Sequence, residues 1–161
     1  MSDYDNITVY YGEGRGKTQV ALGKAVEAAS RGISTNFIQF FKGTNEFNAE
    51  YFTRMEPELK YFRFQRSNKN FNDLSETEKQ EESMNMKNGI NFAKKVMSTR
   101  SCELLVLDEF LGLVHSGLIS KEEVRSLFEA KPEGTVLVLT GRYLDDMIRE
   151  AATDIYNITV E

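Results

Sequence analysis

The chain has 161 residues, and 20 Lys+Arg against 25 Asp+Glu leaves a formal net charge of −5. That length fits a single domain spanning 1–161, and 40% hydrophobic with 28% charged residues excludes a wholly disordered chain, a collagen or a coiled-coil array. A net negative charge argues against a nucleic-acid duplex as partner, so any anionic ligand must meet a local cluster of cations. No stretch approaches the ~18 apolar residues that would span a bilayer, so no membrane association is expected. The start, Met1 to Tyr11, lacks the basic region and long apolar run of a secretory signal, and the one cysteine cannot form an internal disulfide. A reducing cytoplasm is the expected home.

Short β-branched or aromatic runs alternate with longer amphipathic ones. Ile7–Tyr11, Thr35–Phe41, Leu59–Phe64, Leu104–Leu107, Thr135–Leu139 and Ile155–Val160 read as strands. Residues 17–31 put Val20, Ala21, Ala25 and Ala28 on one side of a helix, with Gly32 as its stop. Residues 66–74, rich in Asn and Lys, read as an exposed loop. Residues 75–98 open on the capping box Ser75-x-x-Glu78 and carry Met84, Ile90, Phe92, Val96 and Met97. Along that helix Glu76, Glu78, Glu81 and Glu82 are expected to form a solvated face, and Met84, Met86 and Met97 to be core contacts. Cys102, heading an apolar run, is expected to be a buried packing thiol, and His115, with no Cys or His partner, a surface or packing residue rather than a metal ligand. Ser120 caps Lys121–Ala130, Pro132 stops it, and Leu144–Ala152 is the last helix. Such strand–helix alternation implies parallel pairing with right-handed crossovers, and it puts ligands at the carboxyl ends of the strands.

The segment Val9-Tyr10-Tyr11-Gly12-Glu13-Gly14-Arg15-Gly16-Lys17-Thr18 runs a strand straight into glycines, then Lys-Thr at the start of a helix, with Gln19 next. Alternating glycines let backbone N–H groups turn inward around phosphate oxygens, and the helix N-terminus adds partial positive charge. Lys17 supplies a compact cation and the Thr18 hydroxyl can ligate Mg²⁺. Tyr11 stands where G-x-x-x-x-G-K-[ST] has its first glycine, so the loop is a variant. The fold class expected is α/β: a mostly parallel open sheet of about six strands with helices on both faces, of the P-loop NTPase (RecA-like) type.

The apolar run Leu104–Leu107 delivers Asp108 and Glu109 to the carboxyl edge of the sheet. There Asp108 would hold Mg²⁺ opposite the phosphate loop, and Glu109 would be an outer-sphere magnesium group or a base for water. A further core strand ends in Thr140-Gly141-Arg142, and the Arg142 guanidinium can pair bidentately with phosphate. Lys42-Gly43 holds the same position after its own strand. Lys17, Lys42, Asp108 and Arg142 would then ring one crevice. From these residues alone three chemistries stay open: an ATPase or small-molecule kinase with Glu109 as base, transfer at the ribose to a second substrate, and a binding module in which Mg-ATP orders residues 66–74 for a protein partner.

In this order the residues resemble the ATP:corrinoid adenosyltransferases of the CobA/CobO/BtuR type. Gly12-Glu13-Gly14-Arg15-Gly16-Lys17-Thr18 matches that family's G-x-G-x-G-K-T and Gln39-Phe40-Phe41-Lys42-Gly43 is similar to its Q-F-x-K-G; Val106-Leu107-Asp108-Glu109 and Leu139-Thr140-Gly141-Arg142 complete the likeness, which covers Val9–Gly43 and Glu103–Ile155. The resemblance implies transfer of the 5′-deoxyadenosyl group of ATP to a reduced corrinoid, cobalamin or a precursor: cobalt(I) attacks C5′ and expels inorganic triphosphate. Gly12, Glu13, Gly14, Arg15, Gly16, Lys17, Thr18, Gln19 and Lys42 would bind a nucleotide lying reversed in the loop. Thr18, Asp108 and Glu109 would serve Mg²⁺, and Lys17, Glu109 and Arg142 would stabilise the leaving group. The family's aromatic beneath the corrin falls on Phe71; its second aromatic, a Trp, would fall at Asp73, and this chain has no Trp. A reduced flavoprotein as electron donor and a homodimer are further implications, and the short ends predict a smaller lid over the crevice.

Overall fold

Runs rich in Ile, Val, Leu and Phe form the strands of the computed structural model, which describes residues 4–41, 49–67 and 69–161. They are β1 (Ile7–Tyr11), β2 (Thr35–Phe40), β3 (Leu59–Phe64), β4 (Leu104–Asp108), β5 (Val136–Gly141) and β6 (Asp154–Asn157). The helices are α1 (Lys17–Ser30), α2 (Glu76–Ser98), α3 (Phe110–His115), α4 (Lys121–Ala130) and α5 (Asp146–Ala151), with 3₁₀ segments at Ala49–Met55 and Phe71–Asp73. Among the described residues the strands make one sheet, ordered β3-β2-β4-β5-β1-β6, in which every neighbouring pair is parallel.

Parallel strands buried on both faces carry apolar residues on both, as the inner strands β1, β2, β4 and β5 do. Ile7, Val9, Ile38, Phe40, Leu105, Leu107, Leu137 and Leu139 pack with residues of α2, α3, α4 and α5 in one core layer. Phe37, Leu59, Val106 and Val138 pack with Ala21, Ala25 and Ala28 of α1 in the other. Fully burying a Phe or Leu contributes about 1.5–3 kcal/mol, whereas the exposed Arg31–Glu27 pair on α1 is worth about 0.3–0.5. The two apolar layers therefore hold the fold. Among the described residues no helix is long and apolar enough to cross a membrane.

The pattern is met with local differences. The alanine stripe of α1 seats the helix so close to the sheet that the contact is narrow, and Val20 on its flank is 43% exposed. On α2 the buried line runs Glu82, Met86, Ile90, Ala93, Met97 at three- and four-residue steps, which turns Met84 outward to 63% exposure. The same line draws Glu82 out of the expected solvated face: it is 7% exposed, and its carboxylate accepts from the amides of Arg66 (3.0 Å) and Ser67 (3.4 Å). α2 begins on the predicted capping box, with Ser75 and Glu78 bonded reciprocally. The last helix starts two residues later than predicted because Asp145 caps it from its own side chain, and β6 ends at Asn157 rather than Val160. Cys102 is buried, and loss of solvation pushes its thiol up to about 11. His115 is exposed and stacks on Tyr143 at 4.1 Å between ring centroids.

Candidate nucleotide site

The loop between β1 and α1 contains three glycines with two separate functions. Gly16 is the N-cap of α1 with φ 106 and ψ −2, a left-handed conformation that glycine adopts without steric cost. Gly12 and Gly14 answer a different need, since a Cβ at either would strike the carbonyl oxygen of Ile158, at 2.7 Å in the case of Gly14. The chain after β6 lies against the loop: Gly14 N–H donates to Ile158 O (2.9 Å), Ile158 N–H to Tyr11 O (2.7 Å), and Gly12 N–H to Gly141 O (3.2 Å). Two of the glycine amides expected to face phosphate are thus committed to the backbone behind the loop. The first-turn amides of α1 have no intrahelical acceptor, no acidic residue stands among them and no side chain caps them. This is an open anion site in the physical sense.

Lys17 Nζ donates to the carbonyls of Gly12 and Gly14, 2.7 Å each, which fixes the ammonium across the loop mouth. One residue on, the Thr18 hydroxyl lies 3.0 and 3.1 Å from the two carboxylate oxygens of Asp108. Asp108 is fully buried and also accepts from Thr140 Oγ1 (2.7 Å) and Gln39 Nε2 (3.0 Å). The Gln39 carbonyl oxygen in turn accepts from Tyr61 OH at 2.6 Å. A buried charge is tolerated only when so many donors satisfy it. Sequence reasoning assigned no role to Gln39, Tyr61 or Thr140; the available signal was a glutamine interrupting an otherwise apolar strand end.

An open cleft of about 820 Å³ lies above, lined by residues 13–19, Glu109 and Arg142. Glu109 has φ 65, left-handed for a non-glycine residue, and its N–H donates to Thr140 Oγ1 (2.9 Å). Such strain concentrates where a structure over-determines a site. Arg142 stands at the rim, mostly exposed, 3.6 Å from Glu13. Phe41, the residue after β2, is also left-handed at φ 61, and its ring meets Phe71 edge to face at 5.5 Å. Phe71 therefore has an aromatic partner, supplied by the residue just past β2 rather than by position 73. Lys42 lies outside the described residues. Lys17, Thr18, Asp108, Glu109 and Arg142 are brought together as predicted, with Asp108 beneath the floor rather than lining the cleft.

Among the described residues no group of three or more His, Cys, Asp or Glu is placed to hold a metal unaided. The donor set still fits Mg²⁺, which takes one or two protein oxygens and completes its shell with phosphate and water.

A parallel sheet, a glycine loop running into Lys-Thr at a helix N-terminus, and a strand-end aspartate bonded to that Thr define a P-loop nucleotide-binding domain. The fold is shared with a replication initiator DnaA bound to AMPPCP and single-stranded DNA, at a TM-score of 0.50 and 16% identity over 99% of this chain and 42% of that one. Residues 4–160 match the family model of ATP:corrinoid adenosyltransferase BtuR/CobO/CobP, and the chain belongs to that family. It is 26% identical over 136 residues to the corrinoid adenosyltransferase of Escherichia coli (strain K12), and 29% identical over 137 residues to corrinoid adenosyltransferase CobA of Salmonella typhimurium. Each alignment covers 84% of this chain and 67% of the relative. The chain is thus a transferase that adenosylates corrinoids with ATP.

Proposed function

We propose that the nucleotide's triphosphate lies along the first-turn amides of α1 and Lys17, and that the reaction is displacement at C5′ of ATP. The cobalt(I) of a reduced corrinoid would give its electron pair to C5′, the C5′–O bond would break, and that bonding pair would leave with inorganic triphosphate, cobalt ending as cobalt(III). The protein's task is then to stabilise charge on an intact leaving group, through donors fixed beforehand. Lys17 is held ready by two carbonyls, and Arg142 at the rim can add a second, mobile cation.

The observation that carries this reading is the Thr18 hydroxyl held 3.0 and 3.1 Å from the buried Asp108 carboxylate, one residue past Lys17. Thr18 would offer its oxygen to Mg²⁺, Asp108 would act through Thr18, and Glu109 would face the outer shell. Bound there, Mg²⁺ would supply further charge neutralisation on the triphosphate. Phe41 and Phe71 would form the apolar floor under the corrin, excluding donor ligands and so favouring the lower-charge metal. The reaction consumes a strong reductant; a reduced flavoprotein is the donor we favour, in a cytoplasm where the lone buried Cys102 stays reduced. A homodimer is the assembly that family resemblance supports.

The test is incubation with cobalamin, Mg-ATP and a strong chemical reductant. Adenosylcobalamin and triphosphate in equal amounts are expected; ADP and orthophosphate alone would refute the chemistry.

A further inference from the structure

At the opposite ends of the strands from the phosphate loop, α2 and the β2–β3 side of the sheet bound a second cavity of about 710 Å³. Its size falls among small-molecule sites, roughly 300–1,000 Å³. Asn36, Lys60 and Phe62 line it from the sheet, and Asn91, Phe92 and Lys95 from the helix.

Asn36 is out of place as a structural residue. It sits in β2, opposite Lys60 on β3 and Leu105 on β4, and is 6% exposed. Its carboxamide has no hydrogen-bond partner among the described residues, although it borders the cavity. Asparagine is a poor strand residue, and this carboxamide, whose polar atoms are not sealed from solvent, meets water only through the cavity it borders. Lys60 and Lys95 are exposed, and neither forms an ion pair with a described carboxylate. The carboxylate of Glu103, next to Ser34 at the rim, accepts from the Ser34 amide at 3.3 Å. Phe62 and Phe92, which line the same cavity, meet edge to face with centroids 4.7 Å apart. An apolar wall, two free ammonium groups and a directional amide are complementary to a small planar anion.

We propose that this cavity binds a small aromatic or conjugated carboxylate or phosphate. Its ring rests against Phe62 and Phe92, its acid faces Lys60 and Lys95, and its polar edge bonds Asn36. The strands separate this site from the nucleotide cleft by roughly 17–20 Å, so it is filled without displacing ATP.

The test is titration of the full chain, saturated with Mg-ATP, with benzoate and phenyl phosphate, followed by ¹H–¹⁵N correlation spectra. Saturable shifts are expected at the Asn36 side-chain amide and at the backbone amides of Phe62, Phe92 and Lys95. Neutral benzamide binds about tenfold more weakly, and the Lys60→Ala/Lys95→Ala double variant loses at least about tenfold for both acids. Asn36→Val separates a site from a structural part: it weakens probe binding about fivefold yet raises the thermal midpoint by about 2–4 °C. The proposal is overturned by no shifts up to about 10 mM probe, by equal binding by the double lysine variant, or by a lower midpoint for Asn36→Val. Shifts of the same amides with protein concentration alone would also overturn it, assigning the groove to a second copy of the chain.

Discussion

Tyr61→Phe deletes one oxygen atom at a residue that touches neither the cleft nor, in our reading, any substrate, and it tests the buried chain that holds Asp108. The phenol donates to Gln39 Oε1 at 2.6 Å, and Gln39 is 1% exposed. Without that donor the acceptor is stranded away from water, at a cost of about 1–3 kcal/mol. The amide also loses the partner that fixes its orientation. If it flips, its oxygen rather than its nitrogen faces Asp108 Oδ2, where Nε2 now donates at 3.0 Å. Gln39→Met removes the bond to the carboxylate outright, at about 1.5–3 kcal/mol for a hydrogen bond to a charge. The double variant has no stranded Gln39 oxygen, so its loss is smaller than the sum of the single losses by about 1 kcal/mol. Urea unfolding of the four proteins measures this cycle, and additivity within about 0.3–0.5 kcal/mol would refute the coupling. A second readout separates positioning from mere stability. Mn²⁺ binding in the presence of ATP, followed by the loss of the free-ion resonance, weakens about 10–100-fold for Gln39→Met, while ATP binding without metal is nearly unchanged. Equal loss in both conditions would show that the network only supports the fold.

Lys17→Ala, which removes the cation fixed at the loop mouth, lowers kcat by about 10²–10³ and leaves corrinoid binding intact in a spectral titration. Gly14→Ala drives a Cβ to 2.7 Å from Ile158 O; calorimetry shows a loss of about 1–3 kcal/mol, and Mg-ATP restores less of the midpoint than it does in the wild-type protein. Glu82→Leu leaves the Arg66 and Ser67 amides without their carboxylate acceptor; limited proteolysis then cuts residues 66–74 faster, and the corrinoid KM rises while the ATP KM does not. Cys102 gives a pH test. Its thiol is raised from 9.0 to about 11 by burial, so above pH ~9 the unfolded chain releases a proton that the folded chain keeps, and stability falls between pH ~9 and ~11 by at most about 2–3 kcal/mol. That slope, measured by chemical unfolding, is reduced in Cys102→Ala.

The inner strands β1, β2, β4 and β5 were legible because they are largely buried and mostly apolar, and the edge strand β3 through its aromatic residues; β1 and β3 have their predicted bounds, and the other strands shift only at their ends. The polar ends of β4 and β5 were the difficulty. Asp108 and Gly141 continue the ladder although both residue types are depleted in strands, since the backbone beyond each of them enters a site rather than a turn. Periodicity failed on α2 at Glu82, where a charged residue occupies the apolar line because two loop amides require an acceptor there. The catalytic edge was legible through its motifs, and the chain that steadies it was not. Gln39 and Tyr61 are 22 residues apart and meet only because β2 and β3 pair in register, Tyr61 opposite Phe37; no local pattern encodes that meeting.

Tyr11 in place of the usual loop glycine has the same non-local origin. Its carbonyl accepts from Ile158 N–H while Gly14 N–H returns to Ile158 O, so the loop is fastened at both ends to one residue beyond β6. Position 11 is still within β1, paired with Gly141 and Asn157 on either side, and a strand residue needs no left-handed conformation. The left-handed and close-approach positions fall one, three and five residues later, at Gly12, Gly14 and Gly16, which is the spacing the sequence shows. A loop clamped from behind by β5 and by the chain after β6 has little freedom to reorganise, so its helix-terminal amides and Lys17 keep their geometry whether or not a triphosphate lies on them. Donors already in place lose no energy to reorganisation as charge develops on the leaving group. Substitution at Ile158 itself would leave both of these bonds, which are backbone to backbone, whereas a Cβ at Gly14 cannot coexist with them.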